Sequence, residues 1–270
     1  VSIGFVIRLL AQAVMFQQID NLGLAVVAWA SRTWMLVNLW FVRCFVAIDW
    51  DVKVEAELRF DRSYLITSNH QSWVDIMSLY ASLIHEISFL RFFIKDRLKY
   101  VPILGLAWWG LDYPFMKRYS KEFLEKHPEL KGQDLETTRK SCDRFRGKPV
   151  AIINFLEGTR FKSAIHAKQQ SPYQHLLKPK AGGLAFAVGA MGNQLHSLLS
   201  ITVVYPQGVG ELWDFLCGRV QSITVRVHEH EIPSQFFTGD YQTDPQYRTE
   251  FQTWVADLWS EKDAEISSLL

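Results

Sequence analysis

Cysteine is scarce and scattered: only Cys44, Cys142 and Cys217 occur, and no two form a C-x-x-C pair. A disulfide framework or a thiolate zinc site is therefore not expected, and the simplest setting is a reducing one that faces the cytosol. Net charge is also nearly absent. With 29 Lys plus Arg against 28 Asp plus Glu, no global field points to a nucleic-acid partner. The sequence has no G-x-S-x-G elbow, no G-x-x-x-x-G-K-[ST] loop, no G-x-G-x-x-G after a strand and no H-E-x-x-H. Serine hydrolase, nucleotide-binding and zincin readings thereby lose their main support. Long apolar runs are missing too. Arg8 and Gln12 interrupt Ile3 to Phe16, and Ser31, Arg32, Thr33, Asn38 and Arg43 interrupt Leu22 to Ile48, so no unbroken stretch reaches the roughly 20 residues of a spanning helix.

What is present is a chain of 270 residues, 49% hydrophobic, enough to build one large core or two small ones. Aromatics make up 14%, with ten Trp, a residue used both in cores and at membrane interfaces. Arg32 and Arg43 lie about three helical turns apart and so share a face, with Trp29, Trp34, Trp40 and Phe41 around them. This pattern predicts a pair of amphipathic helices over residues 1–50, lying in a membrane surface or re-entering it; helices that simply cover a soluble core are the alternative. The chain opens on Val1 rather than Met, which leaves room for upstream residues. Its apolar runs carry no small-residue cleavage pattern, so no cleavable signal is expected.

Residues 51–270 read as a single α/β domain. Val52, Val54 and Ala56 alternate with charged residues, predicting a half-exposed strand over 51–58. Further strands are predicted over 62–68, 87–95, 148–155, 198–205 and 219–227. Helical patterns fall between them at Ile76–Ile84, around Leu104, over the charged stretch 134–146 and over the small-residue stretch 180–192. A closing helix starts at Asp244-Pro245 and carries Phe251, Trp254, Val255, Leu258 and Trp259 on one stripe. This order predicts one mixed, mostly parallel sheet flanked by helices. Phe161 to Pro179 reads as a long basic loop. His228 and His230 share one face of the last strand, but with no third ligand in view they read as solvated edge residues, and no metal site is expected.

The stretch that carries chemistry is Ser68-Asn69-His70-Gln71-Ser72-Trp73-Val74-Asp75, a strand running into a turn and a helix. On one continuous helix His70 and Asp75 would point about 140° apart. With His70 in the turn and Asp75 in the first helical turn they can face each other, and a carboxylate on one imidazole nitrogen leaves the other free to take a proton. Ser72-x-x-Asp75 is equally the spacing of a capping box. A second candidate is Glu157-Gly158-Thr159-Arg160, at the end of a buried strand. Gly158 would let a backbone approach, Thr159 could donate and Arg160 could grip a phosphate with two parallel hydrogen bonds, unless Glu157 and Arg160 merely pair on the surface.

Together Asn69-His70 with Asp75 and Glu157-Gly158-Thr159-Arg160 resemble the N-H-x-x-x-x-D and E-G-T-R motifs of the glycerolipid acyltransferases, typified by 1-acyl-sn-glycerol-3-phosphate acyltransferase. The looser resemblance runs from about residue 50 to about 206. It takes in Phe115-Met116-Lys117-Arg118 as a second block, in which Arg118 holds the arginine place and Lys117 replaces the usual acid, and Val203-Val204-Tyr205-Pro206 as a fourth. The run Arg160-Phe161, His166, Leu176-Leu177, Pro179-Lys180 and Gly183 is similar to the longer-loop subgroup of lysophosphatidate and lysocardiolipin acyltransferases.

The resemblance implies that residues 1–50 form membrane-associated helices and 51–270 an acyltransferase domain, at a membrane with the active site on its cytoplasmic face. It implies transfer of a fatty acyl group from an acyl thioester to the free hydroxyl of a lysophospholipid, lysophosphatidate first. His70 is then the general base, oriented by Asp75. Arg118 and Arg160, together with Lys180, hold the acceptor phosphate, Glu157 orients Arg160 or a substrate hydroxyl, and the amides after Asn69 stabilise the oxyanion. Coenzyme A or acyl carrier protein carries the acyl group as co-substrate, and no cofactor is required. A lysocardiolipin or other lysophospholipid acceptor is the rival within the class. A lipid-binding protein that lost activity and a hydrolase that directs His70 at water are the rivals outside it.

Overall fold

The computed structural model describes residues 17–102, 104–111, 113, 115–116, 127 and 147–270. The expected first helix before Phe16, the charged helix over 134–146, Arg118 and Cys142 lie outside the described residues.

Eight strands are described: β1 (Asp49–Glu55), β2 (Ser63–Ser68), β3 (Leu90–Phe92), β4 (Ile94–Lys95), β5 (Phe115–Met116), β6 (Ala151–Asn154), β7 (Leu195–Val204) and β8 (Ser222–His230). Six form one sheet in the order β1-β8-β7-β2-β6-β3, and β4 pairs with β5 in a separate ribbon. Within the large sheet only β7 and β8 run antiparallel, so the sheet is mixed and mostly parallel. The expected strand over 87–95 is divided between the two sheets, because the chain leaves β3 at Phe93.

Both faces of the sheet are covered, which is why its central strands are apolar on both sides. Along β2, Tyr64 and Ile66 enter one core and Leu65 the other. The first core is closed by α1 (Gln17–Phe45) and α2 (Val74–Leu83), through Met35, Leu39, Val42, Val74, Leu79 and Leu83. The second is closed by α5 (Ala181–Met191) and α7 (Pro245–Leu269), through Leu184, Val188, Phe251, Val255, Leu258 and Trp259. Helix α7 starts as its sequence requires: Asp244 Oδ1 accepts from the amides of Gln246 (2.9 Å) and Tyr247 (3.1 Å), and Pro245 occupies the first turn.

The polar breaks in the N-terminal segment do not divide α1. Asn38 returns its side-chain amide to the Trp34 carbonyl (2.7 Å), and the Arg32 guanidinium lies 5.1 Å from the centre of the Phe60 ring. Its stretch Ala25–Phe45 is long and apolar enough to cross a membrane, by length and composition. Trp29, Trp34, Trp40, Phe41 and Phe45 stand exposed on it.

The helix expected around Leu104 is α3 (Leu104–Gly110), and the expected loop at 161–179 contains a helix, α4 (Ser163–Gln169), closed by Gln170 with φ of 49°. Seven residues are too few for a helical period to show in the sequence. His228 and His230 are not at a sheet edge either, since β8 lies between β1 and β7. His228 is held between Glu55 (3.3 Å) and Glu265 (2.6 Å), and burial holds His230 below the usual histidine range. Among the described residues no cluster suited to a metal ion occurs.

Candidate active site

Because β2, β6 and β7 are adjacent and parallel, the segments that follow them emerge at one edge of the sheet. That edge is where open α/β sheets place their ligands. The three segments are the His70 turn, Glu157 to Arg160, and Tyr205-Pro206.

The turn is fixed from three sides. The buried Asn69 side chain clasps Val203, donating to its carbonyl (2.8 Å) and accepting from its amide (2.9 Å). The His70 amide donates to Glu157 Oε1 (3.0 Å), and the His70 carbonyl accepts from the Phe161 amide (2.7 Å). Both motifs are thus stitched together at each end of the Glu157–Arg160 run. Replacing Asn69 by Ala would orphan two buried backbone groups. Urea unfolding is expected to show a loss of about 2–4 kcal/mol; an unmoved midpoint would mean that the clasp contributes nothing.

The His70 ring stacks on Phe155 at 4.1 Å between centres, and its Nδ1 lies 2.8 Å from Asp75 Oδ2. Asp75 is 0% exposed, while the His70 side chain keeps 17% of its surface open. Asp75 Oδ2 also accepts from the amides of Gln71 (2.6 Å) and Ser72 (2.9 Å), and Oδ1 from the Tyr205 hydroxyl (2.5 Å). Burial, then the Asp75 charge, pushes the Tyr205 phenol well above its ordinary range, so it remains a donor. With Asp75 acting as acceptor throughout, Nδ1 is the protonated nitrogen and Nε2 carries the lone pair. The two readings of Asp75 are therefore combined in one carboxylate. The bond from the Ser72 amide is one half of a capping box; the other half is displaced, since Ser72 Oγ accepts from the Val74 amide (3.3 Å) and donates to the Gly210 carbonyl (2.7 Å).

This wiring corrects two expectations. The amides of His70, Gln71, Ser72 and Val74 are already bonded to protein acceptors, so they are not a ready oxyanion hole. Of the amides from His70 to Val74, that of Trp73 is the one outside this set of bonds among the described residues. Glu157 does not hold Arg160 either. It is fully buried, and its second oxygen takes the Leu177 amide (3.2 Å). Burial pushes its carboxyl up to about 8, against the pull of the His70 and Leu177 amides.

Gly158 turns the chain with φ of 69°, and its amide returns to the Phe155 carbonyl (3.0 Å), a conformation that a side chain would strain. Beyond it Thr159 and Arg160 are half-exposed. The Arg160 guanidinium lies 5.5 Å from the Trp73 ring centre and 3.4 Å from Glu211 at the start of α6 (Leu212–Leu216). Lys180 is exposed just before α5, and its amide donates to the Leu156 carbonyl (2.8 Å), which brings it beside Glu157 in the chain trace. His70, Asp75, Glu157, Gly158, Thr159, Arg160 and Lys180 are thus gathered at one sheet edge. Nothing local in the sequence marks Glu211, and the apolar-proline block takes in Tyr205 without disclosing its partner.

Residues 51–207 match the family model described as Acyltransferase. The chain belongs to the acyltransferase family. Among curated relatives of the family, lysocardiolipin acyltransferase 1 of Gallus gallus is 26% identical over 76% of this chain and 53% of its own length. The 1-acyl-sn-glycerol-3-phosphate acyltransferase epsilon of Mus musculus is 26% identical over 62% of this chain and 50% of its own. The chain spans about half the length of these relatives. A solved 1-acyl-sn-glycerophosphate acyltransferase from Thermotoga maritima is 16% identical, with a TM-score of 0.44, covering 90% of this chain and 83% of that one.

Proposed function

We propose that this acyltransferase moves a fatty acyl group from an acyl thioester to the free hydroxyl of a lysophospholipid, with lysophosphatidate the preferred acceptor and phosphatidate the product. The observation that carries the reading is the imidazole of His70, backed by a buried carboxylate and joined through its own backbone to the segment that presents Arg160. His70 Nε2 takes the hydroxyl proton as the oxygen attacks the thioester carbonyl carbon. The tetrahedral intermediate then collapses with cleavage of the carbon–sulfur bond, and the imidazolium returns its proton to the leaving thiolate. No side chain is acylated. The Trp73 amide is the donor left to meet the oxyanion.

Arg160 holds the acceptor phosphate, taking it in place of Glu211, while Arg118 and Lys180 contribute further positive charge. Coenzyme A or acyl carrier protein delivers the acyl group, and the exposed aromatic face of α1 seats the domain on the membrane, with the site towards the cytoplasm. A lysocardiolipin acceptor is the second reading, supported by the name of the Gallus gallus relative. Assay of a panel of lysophospholipids with one acyl thioester separates the two; release of free fatty acid without any acceptor would replace both with a hydrolase.

Arg160→Lys is expected to raise the acceptor KM about tenfold with kcat changed less than about threefold, because an ammonium loses the two-pronged grip. Kinetics at varied acceptor concentration checks this, and an unaltered KM would remove Arg160 from the phosphate site.

A further inference from the structure

The family match ends at residue 207, yet α7 sends two side chains beneath the His70 turn. Lys262 is 2% exposed, and its Nζ donates to the Ile201 carbonyl (2.7 Å) and to Thr202 Oγ1 (3.2 Å). Trp259, one turn earlier, is fully buried and donates from Nε1 to the Leu177 carbonyl (3.1 Å). Each bond ends within two residues of one that holds the turn. Thr202 precedes Val203, the residue clasped by Asn69, and the Leu177 amide donates to Glu157, whose other oxygen receives the His70 amide. Two limbs therefore run from α7 to the turn, one through β7 to Asn69 and one through Leu177 and Glu157 to His70.

A lysine is a poor choice for mere filling, since a buried ammonium is penalised unless it is fully hydrogen-bonded. Burial pushes Lys262 down to about 7, while the charges of Glu265 and Glu157 oppose the shift. The surroundings are polar on this face of the sheet. Thr67 Oγ1 and Asn154 Nδ2 are buried with no hydrogen-bond partner among the described residues, and their residues face each other across β2 and β6. An apolar side chain of similar length would fill the same space and lose the tie to β7.

We infer that Lys262 and Trp259 are positioning residues for acyl transfer, which hold the backbone of Asn69 and His70 from below and make α7 a working part of the active centre. The inference rests on reading His70 as the base. It nevertheless concerns the turn itself, which can be observed without turnover.

Lys262→Met and Trp259→Phe are therefore to be compared with the parent protein by steady-state kinetics and by hydrogen exchange of the peptide that contains His70. Expected is a fall in kcat of about tenfold with both KM values within about twofold, together with about tenfold faster exchange of that peptide. If Lys262→Met does not fold, Trp259→Phe decides alone, since it keeps an aromatic ring and removes the N–H. Folded variants with unchanged kcat and unchanged exchange overturn the inference, as does a loss of kcat that only follows the unfolded fraction. Should His70→Ala retain full turnover, the base reading fails by itself, and the exchange measurement still decides whether α7 braces the turn.

Discussion

Replacing His70 by Ala is expected to lower kcat about a thousandfold while leaving the acceptor KM and the fold largely intact. The geometry separates these effects. The turn is held by the Asn69 side chain, the Glu157 carboxylate and the Phe161 amide, and the two latter bonds are to the His70 backbone. Truncation also leaves Asp75 with three of its four donors, from Gln71, Ser72 and Tyr205. What disappears is the ring beside Phe155, and with it the proton acceptor. Single-turnover measurement with labelled acyl thioester, alongside a binding assay for lysophosphatidate, distinguishes loss of chemistry from loss of acceptor. Retained turnover would mean that another group takes the proton. A parent protein that binds both lipids and transfers nothing would point to a binding module instead.

The pairing of His70 with Asp75 was legible because its logic is local: a turn and a helix start settle the geometry of two residues five apart. The mixed sheet was legible from alternating apolar segments, and the shared edge follows once β2, β6 and β7 are parallel neighbours. Glu157 was not legible in the same way. Its position at a strand end marks it for function, but whether the carboxylate turns outward to Arg160 or inward to two amides depends on Leu177, which a helix and a turn bring back beneath it. Strand order is similarly hidden, so His228 and His230 read as edge residues although β8 is interior. Lys262 and Trp259 lie farthest from any local signal. In the sequence they belong to an ordinary amphipathic helix, and only the docking of α7 under β7 shows what their polar atoms reach.

Asp75→Ala and Asp75→Asn are expected to differ sharply, and the contrast tests what the carboxylate does. Alanine leaves four donors around a buried vacancy, each costing about 1–3 kcal/mol if unmet, so a Tm lower by roughly 10–20 °C is expected in addition to lost activity. Asparagine can keep the wiring. Its carbonyl at the Oδ2 place accepts from His70, Gln71 and Ser72, and its amide at the Oδ1 place donates to the Tyr205 oxygen once that hydroxyl rotates. The fold should then survive with a Tm within about 3 °C of the parent. The negative charge that stabilises the imidazolium is gone, however, and kcat is expected to fall about a hundredfold or more. Because Asp75 acts on the reaction through His70, the double variant His70→Ala with Asp75→Asn should be no slower than His70→Ala alone. A further drop in the double variant would assign Asp75 a task independent of the imidazole, and parent-like kcat in Asp75→Asn would reduce the carboxylate to a cap of the turn.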